Sequence, residues 1–157
     1  MASSGELRIG KLRLGAVEVE AFKCFSKKTR LEIDNFPAGL HFVRGVNLTN
    51  PRLGSNGAGK STLLADAPSW CLFGRTAGGL RTVDVRSWLA KTPPRVAITI
   101  RRGDAEHVIQ RGPRASALTI DGKTVGQEDV DALVGISFAA WSQAVVLGQG
   151  QPLFFDL

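Results

Sequence analysis

The chain has 157 residues, 43% of them hydrophobic and 22% charged. That is the size and composition of one globular domain with a real core, which excludes a disordered chain. The formal net charge of +6 suits a polyanionic partner such as nucleic acid, and two cysteines, Cys24 and Cys71, are too few for a disulfide scaffold.

Residues 1–8 are expected to form a flexible start. Met1–Leu14 is polar and charged, without the apolar core of a secretory signal. No apolar run approaches the roughly 20 residues of a membrane helix. The expectation is a cytoplasmic protein with no membrane partner. Leu12–Phe22 alternates apolar and acidic positions through Val17, Glu18, Val19 and Glu20, which predicts a half-buried strand. Lys28–Ile33 repeats the pattern, Asn35–Gly39 supplies a turn, and Leu40–Val46 is a third strand candidate.

Residues 47–59 are rich in Asn, Gly and Pro and read as a loop. Lys60–Phe73 places Leu63, Leu64, Ala67, Trp70 and Cys71 on one face at helical spacing. Pro68 lies inside that helix and is expected to distort it. Gly74–Pro94 reads as irregular, with a short apolar patch at Val85, Trp88 and Leu89. Val96–Ile100, His107–Gln110 and Ala117–Ile120 are strand candidates, and Asp121-Gly122 signals a tight turn. Gln127–Val134 reads as a short helix, Ser137–Trp141 as a helical turn and Ala144–Leu147 as a strand. His41 and His107 read as surface residues, His107 without an acidic partner.

The chemistry resides in Gly54-Ser-Asn-Gly-Ala-Gly59-Lys60-Ser61, which fits G-x-x-x-x-G-K-[ST]. At this composition a chance match is about a one per cent event. The pattern has a physical rationale. Successive backbone N–H groups in a glycine-rich nest surround a dense phosphate anion, and the helix N-terminus adds its positive dipole end. Asn56, Gly57, Ala58 and Gly59 form the nest. Lys60 reaches the β- and γ-phosphates, the Ser61 hydroxyl coordinates Mg2+, and Thr62 stands near the α-phosphate. The implied cofactors are ATP and Mg2+.

Three stretches resemble one family. Asn56–Gly74 (NGAGKSTLLADAPSWCLFG) is similar to the Walker A loop and helix of SMC-like ATPases. Val17–Phe25 (VEVEAFKCF) resembles the opening strand of their heads, where a Phe and a basic residue precede a turn, and this adds Lys23 to the nucleotide-binding set. Leu133–Leu157 (LVGISFAAWSQAVVLGQGQPLFFDL) is similar to the segment of SbcC and Rad-fifty proteins that ends in the Q-loop. By that resemblance Gln149 is the Q-loop glutamine, near the Mg2+ ion and the attacking water. The resemblance implies an α/β P-loop NTPase fold of the ABC/SMC head type, lobe one, with an antiparallel sheet over the P-loop core. The residues departing from the family pattern are 48–53, inserted before the loop, and Pro68.

The family's coiled coil, signature loop and Walker B acidic pair have no counterpart in residues 1–157. The expectation is therefore an incomplete head. It would bind ATP through Lys60 and Ser61 but hydrolyse it very slowly, because magnesium and water need acidic groups to hold them. In a full-length context the resemblance implies an ATPase for DNA double-strand-break repair or recombination. It would gate an SbcD-type nuclease, form an ATP-bridged homodimer of heads and bind DNA. Arg81, Arg86, Arg95, Arg101, Arg102 and Lys123 are candidates for the DNA-facing surface. The alternatives are another SMC-like or RecF-type head, or a non-catalytic ATP-binding assembly module.

Overall fold

The computed structural model describes residues 12–47, 52, 57–80 and 84–146. A six-stranded antiparallel sheet runs in the order β2-β1-β3-β4-β5-β6. Its strands are β1 (Leu12–Glu20), β2 (Thr29–Glu32), β3 (Arg95–Arg102), β4 (Ala105–Arg111), β5 (Thr119–Ile120) and β6 (Lys123–Thr124). The alternation expected for residues 12–22 is realised in β1: Val17 and Val19 are fully buried, while Glu18 and Glu20 are half-buried. Glu18 meets Lys28 at 2.8 Å on the outer face. The Asp121-Gly122 signal also holds. Both residues have positive φ (51° and 78°), as a two-residue primed hairpin turn between β5 and β6 requires.

The helix following the glycine-rich stretch 54–59 packs on this sheet. Lys60 and Ser61 open it, Thr62–Asp66 winds as a wider π-helical turn, and α1 (Ala67–Phe73) completes it. The Ala67 N–H reaches the Thr62 carbonyl, five residues back. Pro68 explains the widening. It has no N–H to donate, and its ring crowds the preceding turn, so the ladder loosens just before it. The expected distortion is therefore present, and Pro68 is itself buried. Ser69 compensates: its hydroxyl donates to the Ala65 carbonyl at 2.7 Å and accepts from Trp141 Nε1 at 2.9 Å.

Trp70, fully buried, stands at the centre of the core with its ring 5.4 Å from that of Phe22. Ile98 and Ile109 of the sheet share this core, and Val130 and Trp141 of the last two helices close it. Those helices are α2 (Gln127–Val134) and α3 (Phe138–Ala144). Asp129 accepts the Gly126 N–H at 2.9 Å at the start of α2, and Ser137 caps α3.

Two expected strands are absent. Residues 40–46 join no ladder of the sheet, because no described strand lies beside them to supply the hydrogen bonds a strand needs. Leu40 and Phe42 are almost fully exposed. The strand expected at 144–147 is corrected for its described part: Ala144 is the last residue of α3, and the Val145 N–H bonds back to the Trp141 carbonyl at 3.0 Å, so the backbone there is spent on the helix.

Candidate functional site

The described part of the glycine-rich stretch 54–61 has the backbone that its glycines permit. Gly57 and Gly59 have φ of 73° and 82°, in the left-handed region that side-chain-bearing residues avoid. Gly59 is also a close approach. A Cβ there would stand 2.7 Å from the Phe25 ring and 3.0 Å from Cys24 Sγ. Residues 23–25 thus form the floor of the loop. They turn back on themselves, with Phe22 and Phe25 exchanging backbone hydrogen bonds of 2.8 and 2.9 Å.

Lys60 and Ser61 follow as the first helical residues, so the helix N-terminus is aimed at the loop. Ser61 is exposed, whereas Thr62 is buried at 8% exposure. Gly54, Ser55, Asn56 and Gln149 lie outside the described residues, as do most of residues 48–53.

Gly45 belongs to the site and was not singled out from the sequence. A Cβ on it would meet Ala58 Cβ at 2.6 Å, Lys60 Cγ at 3.2 Å and Lys60 Nζ at 3.3 Å. The Lys60 side chain therefore folds back across the loop against the bare backbone of residue 45. No local pattern in the sequence distinguishes this glycine from a turn glycine.

Lys23, expected at the nucleotide, occupies a strained backbone position (φ 49°) beside the loop floor. Its ammonium lies 2.5 Å from Asp66 in the π-helical turn. The pair is largely shielded, with side-chain exposures of 28% for Lys23 and 11% for Asp66. Lys23 thus ties the turn after β1 to the helix that carries Lys60. Asp66 is a site residue that sequence reading missed, because its partner is 43 positions away.

The far end of the same helix is held by a second set of groups. Arg111 Nε donates to the Cys71 carbonyl at 2.7 Å, and Gln127 Nε2 donates to the Leu72 carbonyl at 2.7 Å. Arg111 also meets Gln127 Oε1 at 2.5 Å. Burial pushes the Arg111 pKa down from its usual value, yet a guanidinium remains charged and complements the negative helix end. Gly74, with φ 72°, ends the helix, its N–H bonded to the Trp70 carbonyl.

The basic candidates are scattered. Arg101 pairs with Asp34 and with Glu106, and Arg102 donates to the Leu133 carbonyl at 3.2 Å. Arg86, Arg95 and Lys123 are exposed, and Arg81 lies outside the described residues. His107 corrects the expectation of no acidic partner. Its Nδ1 lies 2.8 Å from Asp121 Oδ2, because the hairpin brings β4 against the β5–β6 turn. That hydrogen bond, with one from the Val108 N–H, holds the Asp121 carboxyl below its usual pKa.

No protein-family model matches the chain. Over 105 residues, 60% of this chain, it is 30% identical to exonuclease subunit 2 of Escherichia phage RB69. That match spans 18% of the phage protein. The fold is similar to that of the recombination mediator protein RecF, in a structure described as RecF-ATPrS in the RecFOR pathway. The TM-score is 0.57, at 20% identity, over 78% of this chain and 30% of the RecF chain. The fold is RecF-like. It is an α/β arrangement with an antiparallel sheet, and this chain covers less than a third of either protein's length.

Proposed function

We propose that this chain is the ATP-binding N-terminal lobe of a DNA repair or recombination ATPase head, of the SMC-like, SbcC and Rad-fifty type. One observation carries the reading. Two left-handed glycines lead into a helix whose first residue, Lys60, folds back over Gly45. That arrangement suits a triphosphate: bare backbone where the anion approaches, a cation beside it and a helix dipole behind it.

In this reading the Gly57–Ser61 backbone binds the phosphates and Lys60 neutralises the outer ones. Ser61 holds a magnesium ion, which would neutralise phosphate charge. Thr62 lines the inner phosphate, Asn56 completes the nest and Gln149 reaches the metal's neighbourhood. Lys23 acts through the loop floor, since its ammonium is committed to Asp66. Residues 1–157 contain no Walker B acidic pair, so the lobe binds ATP and hydrolyses it only when those groups are supplied.

The likeness to a phage exonuclease subunit supports DNA and a nuclease as partners, and an SbcD-type nuclease belongs to the same reading. The net charge of +6 supports binding to a polyanion. Head-to-head homodimerisation around ATP and a cytoplasmic location belong to the same reading. Lys60→Ala abolishes binding of a fluorescent ATP analogue; full retained affinity would sink the assignment. DNA affinity falls steeply with salt, as counterion release demands.

A second reading, a RecF-type head, is favoured by the TM-score of 0.57. The downstream reading frame decides between them. A coiled coil with a Cys-x-x-Cys apex selects the SbcC type.

A further inference from the structure

A cleft of about 450 Å³ opens beside the loop floor, lined by Lys23, Cys24, Asp84, Arg86, Trp88 and Leu89 among others. That volume is in the range of small-ligand sites. Its outer wall is an anchored turn. The Lys23 N–H donates to the Val85 carbonyl at 2.7 Å, and the Ser87 N–H donates to the Ala21 carbonyl at 2.8 Å. Val85 and Ser87 are buried, and the Ala90 N–H closes the turn onto the Ser87 carbonyl at 3.2 Å. This rigid base holds out two large apolar side chains, Trp88 at 99% exposure and Leu89 at 84%. The other two tryptophans, Trp70 and Trp141, are buried.

An indole held in water on a fixed turn forgoes the burial that aromatic side chains normally gain. Cys24 stands between the cleft and the glycine-rich loop: it lines the cleft, and its sulfur lies 3.0 Å from where a Cβ on Gly59 would stand. A molecule whose phosphates rest on Gly57–Ser61 can therefore extend past Cys24 into the cleft.

We propose that Trp88 stacks on the base of the bound nucleotide, making this cleft the base-recognition part of the site. The proposal rests on the phosphate-loop reading and adds to it the residue that distinguishes a nucleotide from a bare polyphosphate. Stacking on an indole tolerates any purine, so it contributes affinity more than choice of base. The Asp84 carboxylate on the cleft wall offers an acceptor for an exocyclic amine, a group that ATP presents and inorganic triphosphate lacks.

The test uses the 157-residue chain and acrylamide quenching of tryptophan fluorescence, which reports Trp88 because the other indoles are buried. ATP is expected to protect the exposed tryptophan, and inorganic tripolyphosphate is expected to bind without protecting it. Trp88→Ala lowers ATP affinity about tenfold or more while leaving tripolyphosphate affinity within about twofold, and Trp88→Phe restores most of the loss. Binding of ATP that depends on Lys60 but leaves Trp88 fully quenchable overturns the base cleft alone. Protection by single-stranded oligothymidylate but not by ATP also overturns it, and makes the turn a nucleic-acid surface. If neither ATP nor tripolyphosphate binds, the phosphate-loop reading falls and the base cleft falls with it.

Discussion

Lys60 and Gly45 face each other across the phosphate loop, with Lys60 Nζ 3.3 Å from the point where a Cβ on residue 45 would stand. The same point lies 2.6 Å from Ala58 Cβ, inside any tolerable contact. Gly45→Val therefore displaces both the loop and its lysine. Overpacking of this kind costs about 1–3 kcal/mol. ATP affinity, measured with a fluorescent analogue, is expected to fall at least about tenfold while the circular dichroism spectrum stays native. Wild-type affinity in Gly45→Val would show that the loop does not depend on this approach.

The Lys23–Asp66 pair joins the loop floor to the Lys60 helix. Its partial burial makes removal of either partner expensive, because the other charge is left shielded and unpaired. Allowing for the remaining exposure of Lys23, each single alanine variant loses about 1–2 kcal/mol in urea unfolding. The double variant loses less than the sum. Strict additivity would show that the two side chains do not interact.

The two cysteines differ in reactivity. Cys24 is exposed beside Gly59, whereas Cys71 is buried with its sulfur 3.5 Å from the Ile109 carbonyl. Iodoacetamide is expected to label Cys24 alone in the native chain, and ATP slows that labelling. Mass spectrometry of tryptic peptides reads both effects. Native-state labelling of Cys71 at the rate of Cys24 would contradict this burial.

Burial pushes the Cys71 thiol from its ordinary 9.0 up to about 12. The folded chain keeps a proton that the unfolded chain releases. The stabilisation is thus complete below pH 9.0 and is lost as the pH rises toward about 12. The steepest loss is about 1.4 kcal/mol per pH unit. Thermal unfolding of wild type should decline more steeply across this window than that of Cys71→Ala. Parallel curves would remove Cys71 as the source.

Arg111 holds the far end of the Lys60 helix by donating to the Cys71 and Leu72 carbonyls. Lysine cannot reproduce that fork, so Arg111→Lys leaves the Cys71 carbonyl short of its donor, while Gln127 still serves Leu72, and costs about 1–3 kcal/mol. A melting temperature unchanged from wild type would count against the capping role.

Much of the fold was legible wherever residues act on near neighbours. The 127–134 helix, the alternation of β1 and the Asp121-Gly122 turn all obey short-range rules, and the structure has them where they were expected. The left-handed backbone at Gly57 and Gly59 was legible for the same reason: it is a local requirement that glycine meets. What stayed hidden depends on distance along the chain. Gly45 matters through Lys60, Lys23 through Asp66, and Arg111 through a helix end 40 residues earlier. The segment 40–46 has strand-like composition, but a strand also needs a neighbour, which composition does not reveal. At 144 the Ser137 cap, a local signal, was outweighed by the apolar run that suggested a strand.

The stretch 40–46 also bears on how the protein behaves at high concentration. Leu40 and Phe42 present bare hydrocarbon to water only a few residues before Gly45. Any molecule that adheres to that strip, including another copy of the chain, pulls on the backbone against which Lys60 rests. Self-association through that strip would compete with ligand for one short length of main chain, and light scattering is then expected to fall as nucleotide is added.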